Sequence, residues 1–322
     1  MKEKPLKTVV IGVLIGFVLA VPYIGFNEAI VYFLSMVMIM SIFAMGLDLV
    51  FGVSGMMSLG HAAFFGIGAY TLSILTINYE VSFGMAFLAS GLFPSIIATL
   101  FGFLAVRLTA LFFALTTMAL AELIYILATF KLRNFTGGMD GLSGVPRPEF
   151  WSIDFYENSS FYIFIALIFF TAFCISAVIR SSPFGQVLKG MRQNEIRAEQ
   201  IGFNIKRFKL GIFVISGFYS GIAGALMASL MFFVDSGNLT FQMSVEVVIM
   251  VLLGGLGTLV GPVLGVFVFQ LLSIVLSSYT SYWNGIIGIV FIVYTIFFPT
   301  GMMGLAKSGW QLVAGMGKGG KT

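Results

Sequence analysis

The sequence predicts an all-α, polytopic transmembrane helical bundle, and three observations carry that prediction. Of its 322 residues 59% are apolar and only 9% are charged, and the mean hydropathy is +1.05; water-soluble domains carry about 25% charged residues. No soluble core hides that much apolar surface. The apolar residues also fall in runs of about 20, the length a helix needs to cross about 30 Å of hydrocarbon. Finally, the bilayer demands that each run satisfy its own backbone hydrogen bonds, and runs of this length do so as helices.

About ten spans follow in order, within a range of eight to eleven. The first, 8–26, comes after Lys2, Lys4 and Lys7 and runs almost unbroken into the next. It is longer than the roughly 7–15-residue apolar core of a signal peptide and so is read as a retained helix. The second covers 29–51, and the third, 61–77, is short and glycine-rich. The fourth and fifth, 83–106 and 108–130, flank Arg107, and the sixth, 160–180, stops at Arg180. The seventh, 209–233, begins at Lys209, just after Lys206 and Arg207. The eighth and ninth, 241–256 and 262–280, flank a Gly254–Gly261 stretch that also suits broken or re-entrant helices, and the tenth is 284–299.

The cations orient this bundle, because short loops rich in Lys and Arg stay in the cytoplasm. With both termini cytoplasmic, 14 of the 17 Lys and Arg fall on the inner side, and Lys131, Arg133 and Arg147 fall outside beside most of the loop acids. The expected organisation is a permease domain at 1–306 with an inner loop at 181–208, an outer loop at 131–159, and a basic cytoplasmic tail at 307–322. The net charge of +4 is thus a product of topology. It gives no concentrated basic face on a soluble module, so nucleic acid is not an expected partner.

Little in the chain suggests catalysis. Cys174 is the single cysteine and lies within a span, which excludes an internal disulfide. His61, the single histidine, has no nearby co-ligands and reads as a packed imidazole. Residues 315–322, GMGKGGKT, fit the phosphate-loop pattern. They lack the strand before it and the helix after it that aim backbone amides at phosphates, so they read as tail. No cofactor or metal site is expected.

Glycine and charge mark the internal features. Gly217, Gly221 and Ala225 form one smooth row on the seventh span, and Ser216, Ser220, Gly224 and Ala228 form another. Gly257, Gly261 and Gly265 surround Pro262, which reads as the first residue of a helix. Such small residues let helix backbones approach closely in a bilayer. Three acids fall inside spans, where a charge at the centre costs roughly 2.5–3.5 kcal/mol on insertion scales. Asp48 and Glu246 stand near span ends, within reach of interfacial water, and Glu122 is the deep one. All three are candidates for a transport path or gate.

Residues 180–209 break the apolar pattern and carry seven of the 17 cations. Ser182 can cap a helix with Pro183 at its first position, and Phe184, Val187, Leu188 and Met191 then form an apolar stripe. Asn194 can cap a second helix that Gly202 closes. Glu195 and Glu199 share a face, partly offset by Arg192; a cationic partner surface would offset them further, and the stripe would bury against it. The alternative is a pair of amphipathic helices lying on lipid headgroups.

Residues 195–202, EIRAEQIG, resemble the cytoplasmic coupling loop of ABC importer permeases, although the acid-alanine-alanine triplet is not literal. Three more stretches are similar to the branched-chain amino acid permease family, its LivM-like members in particular. These are GLDLVFG at 46–52 running into SLGHAAFFGIGAYT at 58–71, TGGMDGLSG at 136–144, and LGGLGTLVGP at 253–262. The resemblance implies half of a translocation path in a bacterial inner membrane. It also implies a second homologous permease, two cytoplasmic ATPase subunits that hydrolyse ATP, and an extracytoplasmic binding protein. Glu195, Arg197, Ala198, Glu199 and Gly202 would then be the ATPase-coupling residues. Branched-chain amino acids are the implied substrate, with urea, amides or other amino acids carried by relatives. An ion-coupled carrier or channel is the competing class, since broken helices near Gly52 and Gly254 would suit one.

Overall fold

The computed structural model describes Pro22 and residues 27–148, 154–297 and 301–304. The expected first span, both chain termini and the 307–322 tail lie outside those residues. Helices stand at each of the nine expected spans from 29 onward: α1 (Glu28–Asp48, continued by a π-helical turn Leu49–Val53), α2 (His61–Ile77), α3 (Phe83–Ala105) and α4 (Ala110–Ile126, continued by a π-helical turn Leu127–Lys131), then, after a one-turn α5 (Arg133–Thr136), α6 (Asn158–Ser181). The segment after α6 forms α7 (Pro183–Gln193) and α8 (Glu195–Gln200), followed by α9 (Ile205–Met231), α10 (Phe241–Gly254), α11 (Gly261–Tyr279) and α12 (Trp283–Phe297).

Seven of these helices, with α1 and α4 taken through their π-helical turns and α12 taken over Trp283–Gly304, are long and apolar enough to cross a membrane. The other two apolar helices, α2 with 17 residues and α10 with 14, are shorter. At about 1.5 Å per residue they reach only roughly 26 and 21 Å. Both were short or interrupted in the sequence pattern, and both start beside irregular backbone that other helices cover. The bundle is therefore polytopic and helical, and among the described residues, where nine of the ten expected spans fall, seven helices are of membrane length.

α9 is the axis of the bundle. It and α1 are 72% buried over their apolar windows, against 22% for α4. The two small-residue rows of α9 pack mainly on two different neighbours, and Gly221 touches both. A Cβ on Gly217 would lie 2.8 Å from Ala98 Cβ, and one on Gly221 would strike the Ser90 carbonyl, so this row faces α3. A Cβ on Gly224 would strike the Phe65 carbonyl on α2, and Gly68 of α2 lies against Gly221. α10 and α11 meet as tightly, since side chains at Gly254 or Gly265 would collide with the carbonyls of Gly261 or Met250. With lipid as apolar as the helix surfaces, such close approach supplies the packing energy.

Beyond α4 and α9 the chain pairs two short strands, β1 (Leu142–Ser143) and β2 (Phe233–Val234), antiparallel with Leu142 opposite Val234. Arg147 fastens this end. Its guanidinium lies 4.5 Å from the ring centroids of both Phe161 and Phe232 and donates to the Phe155 and Tyr156 carbonyls and to Asn158 Oδ1. Burial pulls its pKa down, and Tyr156 and Tyr32 oppose that shift. The exposed Arg133–Asp140 pair at 3.8 Å adds little by comparison.

Candidate functional site

The sequence features of the 180–209 segment become two capped helices at the opposite end of the bundle. Ser182 Oγ accepts from the Gly185 N–H with Pro183 in the first turn, and Asn194 Oδ1 accepts from the Arg197 N–H. Gly202 closes α8 at φ +102°, a conformation that any Cβ opposes. These features are local, so sequence and structure coincide.

The faces of these helices differ from expectation. The α7 stripe is buried against the chain's own bundle, with Leu188 and Met191 almost fully inaccessible and Phe184 stacked on Phe208 at 5.3 Å. It is therefore not free to bury against a partner. Ala198 is also buried. α8 leaves Glu195, Ile196, Arg197, Glu199 and Gln200 exposed, continued by Ile201, Gly202 and Phe203. A cleft of about 540 Å³ opens beside them, walled by Glu195, Glu199, Lys206 and Lys209 and, across from α8, by Arg107 and Leu108 of the α3–α4 loop.

The Glu195/Glu199 pair is also resolved within the chain. Glu195 Oε1 lies 2.7 Å from Lys209 Nζ, whose side chain is 8% exposed, so the anchor of α8 is the first helical turns of α9. Glu199 has no ion-pair partner among the described residues. Arg192 does not offset these acids. It turns the other way, donating to the Gly52 carbonyl, with its stem so close to Gly55 that an added Cβ would sit 2.9 Å from Arg192 Cγ.

Gly52 leads to Asp48, the first of the three acids within spans. Asp48 does not reach interfacial water. It is fully buried, its Oδ2 lies 2.6 Å from Arg180 Nη2, and its Oδ1 accepts from the Gly257 N–H at 2.8 Å. A Cβ on Gly52 would collide with Asp48 Oδ1 and the Gly257 nitrogen, so only glycine lets the π-helical turn approach that carboxylate. Gly257 itself has φ +73° and stands in the α10–α11 turn, where Gly261 N–H donates to Thr258 Oγ1. One hydrogen-bonded node thus ties α1, the end of α6, α7 and the α10–α11 turn. Lys189 Nζ adds a bond to the Arg180 carbonyl at 2.8 Å. The residues were legible in the sequence as single charges and glycines, but their convergence was not, because it joins positions 132 and 209 residues apart.

His61 stands at the start of α2, packed as expected. Ser216 Oγ donates to the Gly46 carbonyl at 2.6 Å and lies 2.6 Å from His61 Nε2. A hydroxyl has one proton to give, so the imidazole carries its own on Nε2. The α2 N-terminus is held further by Leu59 N–H to Thr117 Oγ1 and Ala62 N–H to Ser244 Oγ. Near these bonds, the other two acids share one outer face. Glu122 is exposed on α4 in a recess with Tyr125, Thr240, Phe241 and Gln242, and Glu246, half-buried on α10, accepts from Gln242 Nε2 at 3.1 Å. Among the described residues no group of three or more His, Cys, Asp or Glu could hold a metal ion.

Comparison with known proteins agrees with this architecture. The permease protein LivM of the high-affinity branched-chain amino acid transport system of Escherichia coli (strain K12) is 28% identical over 309 residues, covering 88% of this chain and 72% of that protein. A probable branched-chain amino acid transport permease protein LivM of Methanocaldococcus jannaschii is 25% identical, over 64% of this chain and 61% of its own length. The E. coli permease protein LivH of the same named system is 23% identical, over 82% of this chain and 91% of its own length. No solved structure matches the chain. The family model described as "Branched-chain amino acid transport system / permease component" matches residues 29–295, and with its apolar helices the chain is a multi-pass membrane permease belonging to that family.

Proposed function

We propose that this chain is one permease subunit of an ATP-driven importer for branched-chain amino acids in a bacterial inner membrane. In this reading it works with a second homologous permease, two cytoplasmic ATPase subunits and an extracytoplasmic binding protein. The names of the LivM and LivH relatives support the substrate class and a pair of related permeases. The observation that carries the coupling role is the division of labour in α7 and α8. Their apolar side and Arg192 are engaged with the bundle, and Ile196, Arg197, Glu199, Ile201 and Gly202 are left outward.

The geometry supplies a route for force. An ATPase pushing on the α8 face moves Ala198 and the Glu195–Lys209 pair against α9, the axis of the bundle. Through α7 it also moves Arg192, which holds the π-helical turn of α1, and hence Asp48, Arg180 and the Gly257 turn. Rigid helices joined by a buried charged node transmit displacement, whereas an exposed linker would absorb it. Asp48 is then a lock between moving parts, Glu122 and Glu246 are the path or gate acids where this half of the path meets the second permease, and the glycine rows at Gly217, Gly221, Gly224, Gly257 and Gly261 are the packing surfaces.

The test is Glu199→Lys in the full transporter complex. Insertion and co-purification of the second permease should match the parent, while ATP-driven uptake falls at least about tenfold, the loss of about 1.4 kcal/mol of coupling. Normal uptake at matched expression would return the segment to a solvated linker.

A further inference from the structure

The geometry points to the α4–α10 face, centred on Glu122 and Gln242, as the surface covered by the second permease subunit. This rests on the proposed importer reading and adds to it the location of the subunit seam. Outside their first and last turns, the described membrane-length helices and α10 carry three acidic side chains, Asp48, Glu122 and Glu246, and Asp48 is buried against Arg180, which leaves Glu122 and Glu246. Glu122 lies 12 residues into the continuous Ala110–Lys131 helix, about 18 Å along a length of roughly 33 Å, far from either end. A carboxylate at that depth faces a protein interior or a water-filled cavity rather than acyl chains.

Within this chain, however, Glu122 faces outward. The helix that carries it is only 22% buried over its apolar window. The recess in front of it, about 250 Å³, is lined by Tyr125, Thr240, Phe241 and Gln242 as well, and the Gln242–Glu246 bond extends the polar strip along α10. The α3 surface is the contrast. Met85, Leu88, Leu92, Ile96 and Phe103 are each 57–63% exposed, and all are apolar, which is what lipid contacts. The occupant that fits the α4–α10 strip is a second permease offering polar groups or trapped water at the depth of Glu122. The similarity of the chain to both LivM and LivH favours a related but distinct permease over a second copy.

Site-specific photocrosslinking in membranes containing the whole complex tests this. A benzophenone amino acid is placed at Gln242 or Tyr125 and, as the control, at Leu92. The expected result is adducts with the second permease from Gln242 and Tyr125 at least about tenfold more abundant than from Leu92. Adducts from Leu92 as abundant as these, lipid adducts alone from Gln242, or adducts with a second copy of this chain would each overturn the assignment. Absence of any second permease from a purified, folded complex would instead overturn the importer reading beneath it.

Discussion

At the residue scale the structure turns on Asp48. Its carboxylate is surrounded by the Arg180 guanidinium and the Gly257 N–H, and no solvent competes for it. Two nitrogens of Arg180 have no other partner among the described residues, which leaves the guanidinium dependent on Asp48. Removing one member of such a buried pair costs about 3–5 kcal/mol, whereas removing both can be close to neutral. Asp48→Asn should therefore lower the thermal unfolding midpoint of the purified protein markedly, and Asp48→Asn with Arg180→Gln should recover much of that loss. A single variant as stable as the parent would show that the pair contributes nothing. The sequence marked Asp48 as unusual because a charge in an apolar run is rare. It gave no sign of Arg180, because such pairing depends on how α1 and α6 pack, and nothing local records it. Arg147 was hidden for the same reason: its two rings, Phe161 and Phe232, belong to α6 and to the turn after α9.

At the element scale, α7 and α8 separate what periodicity can and cannot say. Ser182, Pro183, Asn194 and Gly202 act within one turn of their own positions, so the helix boundaries were readable. The Phe184, Val187, Leu188 and Met191 stripe was readable as an apolar face, but an apolar face does not name what covers it, and the chain's own bundle does. Arg192 is the consequential case, since its inward bond to Gly52 makes α7 a lever on α1. Arg192→Ala should leave folded yield near the parent value and reduce ATP-driven uptake at least about tenfold, a coupling effect of about 1.4 kcal/mol. Equal loss of folded protein and uptake would instead make Arg192 a stability residue. Gly202→Val should strain the end of α8 by about 1–2 kcal/mol through its left-handed backbone and should reduce uptake alongside ATPase association, read by co-purification.

At the scale of the whole molecule, the nine apolar helices from α1 onward were legible because hydropathy and length decide whether a run can enter a bilayer. Their arrangement around α9 was not, although the four-residue spacing of its glycines announced that something packs there. The spacing is a property of one helix, and the assignment of one row to α3 and the other to α2 needs both partners in place. That arrangement makes a contrast between glycines. Gly224→Leu should sharply reduce the yield of folded protein, because even modest overpacking costs about 1–3 kcal/mol and here the Phe65 carbonyl fills the space. Gly288→Leu on α12 meets nothing within 4 Å and should be tolerated; comparison by size-exclusion chromatography after solubilisation checks both.

The central claim, that this permease is driven through α8 by a separate ATPase, is most directly tested by reconstitution into proteoliposomes. Uptake of a radiolabelled branched-chain amino acid is measured with this chain alone, and with the second permease, the ATPase subunits, the binding protein and ATP. The expected result is uptake only in the complete, ATP-supplied system. Uptake by this chain alone, driven by an ion or solute gradient, would contradict the account.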